Sequence, residues 1–336
     1  MLENPGLIPR AELHAHIEGA ALPDLVRQQA AKYNEDVSRL FDENGEYNWT
    51  DFTTFLKQYD DAAALFKTEE DYALLAETYF RFLAAEGAIY GEVFISPDHA
   101  NLAGLSYRAY LDALGEGILR ARQATGVEGR LIATGVRHFG VDSVERAAKA
   151  AVETPHPLMT GFGFAGDERQ GHPSNFAKAF DIAREAGLGL TAHAGEFGGP
   201  ESVRDALDFF KVSRIGHGVR AIEDGALVER LVEEGITLEC CPGSNISLGV
   251  YEHLRFHPIE KLRAAGVKVT VSSDDPPFFR TTLGKEYVNT AKQFGWTLDV
   301  EAQMTRNSIE AAFCDAQTKA DLMAKLDAAI ADLPTC

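Results

Sequence analysis

Two histidines separated by one residue, His14 and His16, close the short run ELHAH. In an extended segment residues i and i+2 point to the same side, so both imidazoles face one way. Three later runs end in the same kind of residue. TAHAGE brings His193 and Glu196, RIGHG brings His217, and SSDDPP brings Asp274 and Asp275. Imidazoles and carboxylates without clustered thiols are the donor set of zinc or another borderline divalent cation. Each residue taken alone has a plain structural reading. A histidine near a strand end is commonly a satisfied core group, Asp-Asp-Pro-Pro makes a turn, and Glu196 suits the first turn of a helix through the helix dipole. The repetition, at run ends far apart in sequence, is what points to one site.

For those ends to meet, the runs must be parallel strands in consecutive order. Eight apolar runs are legible, at 8–16, 89–96, 129–138, 159–166, 188–195, 214–218, 236–243 and 267–275. Amphipathic helices separate them. The segment 174–187 has Ser174 as candidate N-cap and an apolar face through Phe176, Phe180 and Ala183. The segment 223–235 pairs Leu227 with Leu231 and Val228 with Val232. These two helices and the one at 257–266 stop at Gly187, Gly235 and Gly266, as helix C-termini do. Strands alternating with helices read as βα units, and a (β/α)8 TIM barrel is their natural closure, with chemistry at the C-terminal strand ends. A doubly wound open sheet is the alternative that pattern alone leaves open. Residues 20–86 exceed one crossover and read as a helical insertion over the barrel mouth. Residues 299–333 read as C-terminal helices on the outside. No linker-like stretch divides residues 1–336, so a single domain is expected.

Composition narrows the partners. Lys plus Arg number 32 against 51 for Asp plus Glu, a formal net charge of −19 over 336 residues. A polyanion is held through a dense cationic surface, so nucleic acid and anionic membrane are excluded in favour of a small molecule and a metal cation. Of the four cysteines, Cys240 and Cys241 are adjacent, which is no disulfide framework in a chain of this length. MLENPGLIPR lacks the apolar core of a signal peptide, and no run of 18 apolar residues occurs. A cytoplasmic protein is the expectation.

In order, HAH, FAGDE, TAHAGE, RIGHG, CPGSN and SSDDP resemble the adenosine/adenine deaminase family of metal-dependent hydrolases, over about residues 7–280. The resemblance implies a (β/α)8 barrel holding one Zn2+ per chain through His14, His16, His193 and Asp274. It implies conversion of a 6-aminopurine and water to the 6-oxo compound and ammonia by zinc-hydroxide attack at C6, because zinc lowers the pKa of its water towards ~7. Glu196 matches the general acid that protonates N1, which needs a carboxyl pKa held up by partial burial. His217 and Asp275 match the pair that orients and deprotonates the attacking water. Gly166 matches a residue whose backbone amide recognises the purine, and Glu18, His16 and Asp275 complete the expected substrate contacts. Asp167 and Glu168 are expected to brace their loop.

The remaining side chains get structural readings. His138 is the one other histidine expected to line the pocket; His99, His156, His172, His253 and His257 are not. Cys240 and Cys241 read as core. Trp49, Phe52, Phe55, Tyr59 and Phe66 read as a packing stripe that could lend one or two rings to a purine.

Substrate choice divides over three positions. Glu18 stands where adenosine deaminases of the family usually carry Asp, as in adenine deaminases and some bacterial adenosine enzymes. Gly216 and Ser96 stand where adenine deaminases usually carry Asp. On that balance adenosine and 2′-deoxyadenosine are the expected substrates, with Gly216 leaving room beneath N9. The alternatives are deamination of adenine to hypoxanthine or of another 6-aminopurine, and a non-catalytic metal- or purine-binding protein. Binuclear relatives carry a Lys or a further His near the fourth strand's end, where this chain has Phe164-Ala165-Gly166-Asp167. Nucleic-acid deaminases of the other zinc fold need H-x-E and then P-C-x-x-C. His16-Ile17-Glu18 meets the first half, and Cys240-Cys241-Pro242 fails the second.

Overall fold

A computed structural model describes residues 8–333. Eight strands run parallel in sequence order: β1 (Arg10–His16), β2 (Ala88–Ile95), β3 (Glu128–Val136), β4 (Met159–Ala165), β5 (Gly189–Ala194), β6 (Arg214–His217), β7 (Thr237–Cys240) and β8 (Lys268–Val271). Each pairs with the next, and β1 returns to the chain beyond β8. There His16 N–H donates to Asp274 O at 3.1 Å, and Asp274 N–H donates to His14 O at 2.9 Å. This is a (β/α)8 TIM barrel. The strands are buried on both faces because helices cover one side and the barrel interior the other; in β8, Val269 and Val271 are fully buried.

Helix ends follow ordinary capping chemistry. Asp224 accepts the N–H groups of Ala226 and Leu227 at the start of helix Gly225–Glu233, and Gly235 beyond its end has φ +67°, a left-handed conformation that suits glycine. Ser174 is not an N-cap. Pro173 favours a 3-10 turn at Pro173–Phe176, the His172 ring accepts the Ser174 N–H, and the α-helix starts only at Ala177.

Three boundaries differ from expectation. The segment over the mouth is narrower than residues 20–86. Helix Glu69–Ala85 lies on the barrel's outside, where Leu83 and Phe80 pack so closely on β2 that a Cβ at Gly91 would meet them at 2.9 and 3.2 Å. The mouth is covered by the earlier part, including helix Phe52–Ala63. β8 ends at Val271, so Asp274 and Asp275 lie in the turn beyond it. Third, the C-terminal helices Leu298–Ala311 and Ala316–Ala331 pack with Ile8, Ala11, Leu13 and Tyr90. Between those helices Phe313 presses on β4 and β5, where a Cβ at Gly161 or Gly189 would meet its ring at 2.7 or 2.2 Å. No helix among the described residues is long and apolar enough to cross a membrane.

Candidate active site

The strand ends converge as their spacing requires. One ligand atom each from His14, His16, His193 and Asp274 lies within 4.8 Å of the others. His14 Nδ1 donates to Glu239 Oε2 at 2.7 Å, and His193 Nδ1 donates to the Phe164 carbonyl at 2.9 Å. With those protons placed, the two Nε2 atoms face each other as lone pairs at 3.0 Å. Opposed lone pairs at that distance repel, and a cation between them turns repulsion into coordination. Three further edges are His16–His193 at 3.2 Å, His16–Asp274 at 3.4 Å and His14–Asp274 at 3.6 Å. Tetrahedral zinc with bonds of ~2.0–2.1 Å has ligand–ligand edges of ~3.3–3.4 Å. The donor set therefore fits zinc in both geometry and chemistry.

Two residues of this rim adopt left-handed backbone without being glycine: His217 at φ +61° and Asp274 at φ +63°. Such residues cost roughly 1–3 kcal/mol each and persist where surrounding contacts fix them. For Asp274 those contacts are the backbone bridge to β1 and the Ser244 hydroxyl, which donates to Oδ2 at 2.6 Å. Burial alone would raise the Asp274 pKa; the His16, His217 and His14 imidazoles outweigh it and hold the carboxyl far below its usual range. Neighbouring Asp275 goes the other way, pushed well up by burial and then by the Asp274 charge. Its Oδ1 is buried without a hydrogen-bond partner and the residue lines the pocket, so it is free to meet a substrate or water proton.

Glu196 is buried, and desolvation first, then the Asp274, Glu168 and Asp275 charges, hold its carboxyl well above the ordinary range. A carboxyl kept protonated at neutral pH is a general acid. Its loop is fixed by Glu168, whose carboxylate accepts N–H groups from Gly195, Glu196, Phe197 and Gly198 and the Ser202 hydroxyl. Asp167 instead binds Arg169 and Gln170. His217, lowered to about 4 chiefly by burial, is neutral.

The pocket beside this cluster has a volume of about 110 Å³. Gly166 lines it at φ +103°, where a Cβ would strike His138 Nδ1 at 2.8 Å, so close backbone approach is real there. Phe52, Phe55 and Tyr59 from the insertion line the pocket together with Phe279, whose ring packs on Phe55; Phe66 stays in the core, and Trp49 donates its indole N–H to Phe278 O.

Three expectations need correction. His99 is a pocket residue, its Nδ1 3.3 Å from Glu18 Oε2, while Glu18 Oε1 accepts the Tyr110 hydroxyl at 2.7 Å. Burial would raise Glu18; His99 and Tyr110 outweigh it, so the carboxyl is lowered, and the His99 imidazole is raised despite its burial. His257 is also tied to the site, through Asn245. Gly216 does not face the pocket. A Cβ there would meet His14 Cε1 at 2.7 Å and His193 Cα at 3.3 Å, so glycine is needed to let two ligand-bearing strands pack. Sequence reasoning also missed Glu239, Ser244 and Asn245. The available signal was a charged residue inside an otherwise apolar buried run, ITLECC, since such a charge requires a partner.

A family model described as adenosine deaminase matches residues 9–329. The chain is 58% identical over 320 residues to a protein named adenine deaminase from Chelativorans sp. (strain BNC1), covering 95% of this chain and 98% of that one. Identity is likewise 58% over 320 residues to a protein of the same name from Mesorhizobium japonicum, with coverage of 95% and 98%. Among solved structures, the adenine deaminase of Arthrobacter aurescens superposes with a TM-score of 0.89 at 30% identity, covering 96% of this chain and 99% of that one.

Proposed function

This chain belongs to the adenosine deaminase family of hydrolytic deaminases, and we propose that its substrate is free adenine, converted with water to hypoxanthine and ammonia. One zinc ion per chain, held by His14, His16, His193 and Asp274, is part of the proposal. The expectation of adenosine gives way to this alternative. Gly216 drops out of the substrate comparison because it packs behind His14, and the relatives at 58% identity are named adenine deaminases.

The observation that carries the free-base reading is the Glu18 carboxylate. It is 1% exposed and kept ionised by His99 and Tyr110, and it lines the pocket. A carboxylate has about four lone-pair sites, and Tyr110, Tyr59 and His99 meet three of them, which leaves one for a substrate donor. Free adenine brings an imidazole-edge N–H that can meet it; in adenosine N9 carries ribose and no proton.

The residue roles follow from chemistry at C6. A bound zinc ion lowers the pKa of water towards ~7 and so supplies the nucleophile. Glu196 gives its proton to purine N1, which draws electrons from C6. Asp275, with its free Oδ1, accepts a hydrogen bond on the opposite side, and the Gly166 amide holds the ring edge. Glu168 keeps Glu196 at the position where N1 arrives.

The test is ammonia release from adenine, adenosine, 2′-deoxyadenosine and AMP, with metal analysis of the same sample. A site with a buried group awaiting a substrate N–H rejects an analogue lacking it by up to ~10⁴–10⁵, so kcat/KM for adenine should exceed that for adenosine by at least ~10²-fold. Equal or greater efficiency on adenosine returns the nucleoside reading.

A further inference from the structure

Asn245 and His257 touch no metal ligand atom, yet their hydrogen bonds fix where protons sit at the reacting centre. His257 Nδ1 accepts the Ile259 N–H at 3.2 Å, so the ring proton is on Nε2. Nε2 lies 3.1 Å from Asn245 Oδ1 and donates to it. That bond settles which end of the Asn245 carboxamide is oxygen. Its NH2 group is therefore aimed inward, 3.2 Å from Glu196 Oε1 and 3.3 Å from His217 Nδ1. Both contacts need an acceptor. His217 Nδ1 then carries no proton, and the ring's proton is on Nε2, which points to the metal side, 3.9 Å from Asp274 Oδ2. All three side chains, Asn245, His217 and His257, are at most 2% exposed, so water does not scramble the assignment.

We propose that His257 and Asn245 are positioning residues that lock His217 as its Nε2–H tautomer and hold Glu196 by the same carboxamide. A ring whose inward nitrogen already bears a proton cannot take one from the attacking water. His217 therefore donates a hydrogen bond to the water oxygen and orients it, and does not receive the water's proton. Of the two roles expected of the His217–Asp275 pair, His217 thus keeps orientation and not deprotonation. The inference rests on the deaminase reading of the site but not on the choice between adenine and adenosine.

The experiment reads the tautomer directly in zinc-loaded enzyme labelled with 15N-histidine, by long-range 1H–15N correlation spectra. His217 and His257 are expected as neutral Nε2–H rings, assigned by loss of their signals in His217→Gln and His257→Gln. His257→Phe frees the Asn245 carboxamide to turn. It should lower kcat ~10-fold and bring up an Nδ1–H population at His217, with zinc content unchanged; His257→Gln, which can still donate to Asn245, should restore most of the rate. Asn245→Asp replaces the donor with an acceptor, and loss of one such preorganised donor typically costs ~10²–10³ in kcat. A His217 that is Nδ1–H or doubly protonated in the wild type overturns the proposal. So does an unchanged tautomer in a folded Asn245→Asp protein. If His257→Phe fails to fold, the wild-type spectrum and His257→Gln still decide. Absence of any deaminase activity in wild type would sink the functional reading instead, leaving the spectra interpretable.

Discussion

Glu168→Gln separates the holding of the Glu196 loop from the chemistry of Glu196 itself. In the native loop Oε2 accepts three N–H groups, from Glu196 at 3.1 Å and from Phe197 and Gly198 at 2.8 Å each. Oε1 accepts the Gly195 N–H at 2.6 Å and the Ser202 hydroxyl. A carboxamide retains one oxygen. Seated at the Oε2 position it preserves the three N–H bonds, and its NH2 then opposes the Gly195 N–H, donor to donor; the Ser202 hydroxyl can turn to accept. One buried unsatisfied donor costs about 1–3 kcal/mol, and the surviving bonds lose the charge assistance that makes them roughly twice as strong as neutral ones. A total near 3 kcal/mol follows from these two effects, which for a chain of this size lowers Tm by about 4 °C. Displacing the acid should also remove much of its contribution to kcat, which for general acid–base groups is ~10²–10⁴. Thermal unfolding, steady-state ammonia release and zinc analysis on one preparation check all three effects. Zinc content should stay at the wild-type level, because none of the four ligand side chains touches Glu168. A variant with wild-type Tm and kcat would show that the loop is held by other contacts. Loss of zinc would show that the loop and the metal site are not separable.

The other expectations are more direct. Glu196→Gln keeps size and hydrogen bonding but has no proton to give, so it should retain zinc and lose ~10²–10⁴ in kcat; with the native acid, kcat should fall as pH rises through the raised Glu196 pKa, and near wild-type turnover in the variant removes Glu196 from the mechanism. His16→Ala opens the metal site and should lower zinc content and turnover in proportion; active wild-type protein free of divalent metal, by elemental analysis, refutes the donor set. Glu286 has a pKa raised from 4.5 to about 7 by burial. The fold thus favours its protonated form, and the associated stability is complete below about pH 4.5 and lost as pH rises through about 7. The shift corresponds to about 3 kcal/mol. Glu286→Gln should flatten the chemical-denaturation stability curve across that window, and an unchanged slope counts against the burial argument.

The parts of the molecule legible in sequence are those written in local periodicity. An HxH pair on a strand, glycine-stopped helices and eight apolar runs are each set by neighbours within a few residues, and the barrel follows from their order. The three histidines of the cluster were legible for the same reason: each lies at or near the C-terminal end of a strand, so backbone direction brings them together. Asp274 shows where this ends. It belongs to the cluster, but β8 stops at Val271, and only the bridge to Ala15 and a left-handed φ turn its carboxylate inward. Gly216 shows the opposite error. An absent side chain reads as empty space for a substrate until the neighbour across the barrel interior is known, and that neighbour is His14.

What stayed hidden are the pairings of buried charge. Glu92, Arg214 and Glu239 sit in strands and are fully buried, which isolated charges do not tolerate. Glu239 Oε2 accepts from His14, and its Oε1 lies 2.5 Å from Arg214 Nε. Arg214 donates to Glu92 at 2.7 Å, and Glu92 accepts the Tyr90 hydroxyl at 2.6 Å. Each member is ordinary in its own strand, and the chain they form spans β2, β6, β7 and β1. Its consequence for chemistry lies at one end. A carboxylate on His14 Nδ1 fixes the tautomer and raises the basicity of the Nε2 that faces the metal. Arg214 keeps that carboxylate ionised in spite of burial, with His14 and Thr191 adding hydrogen bonds. A charge placed well below the rim thus sets the donor quality of a ligand at the rim. No window of sequence contains that relation, because it exists only once the barrel closes.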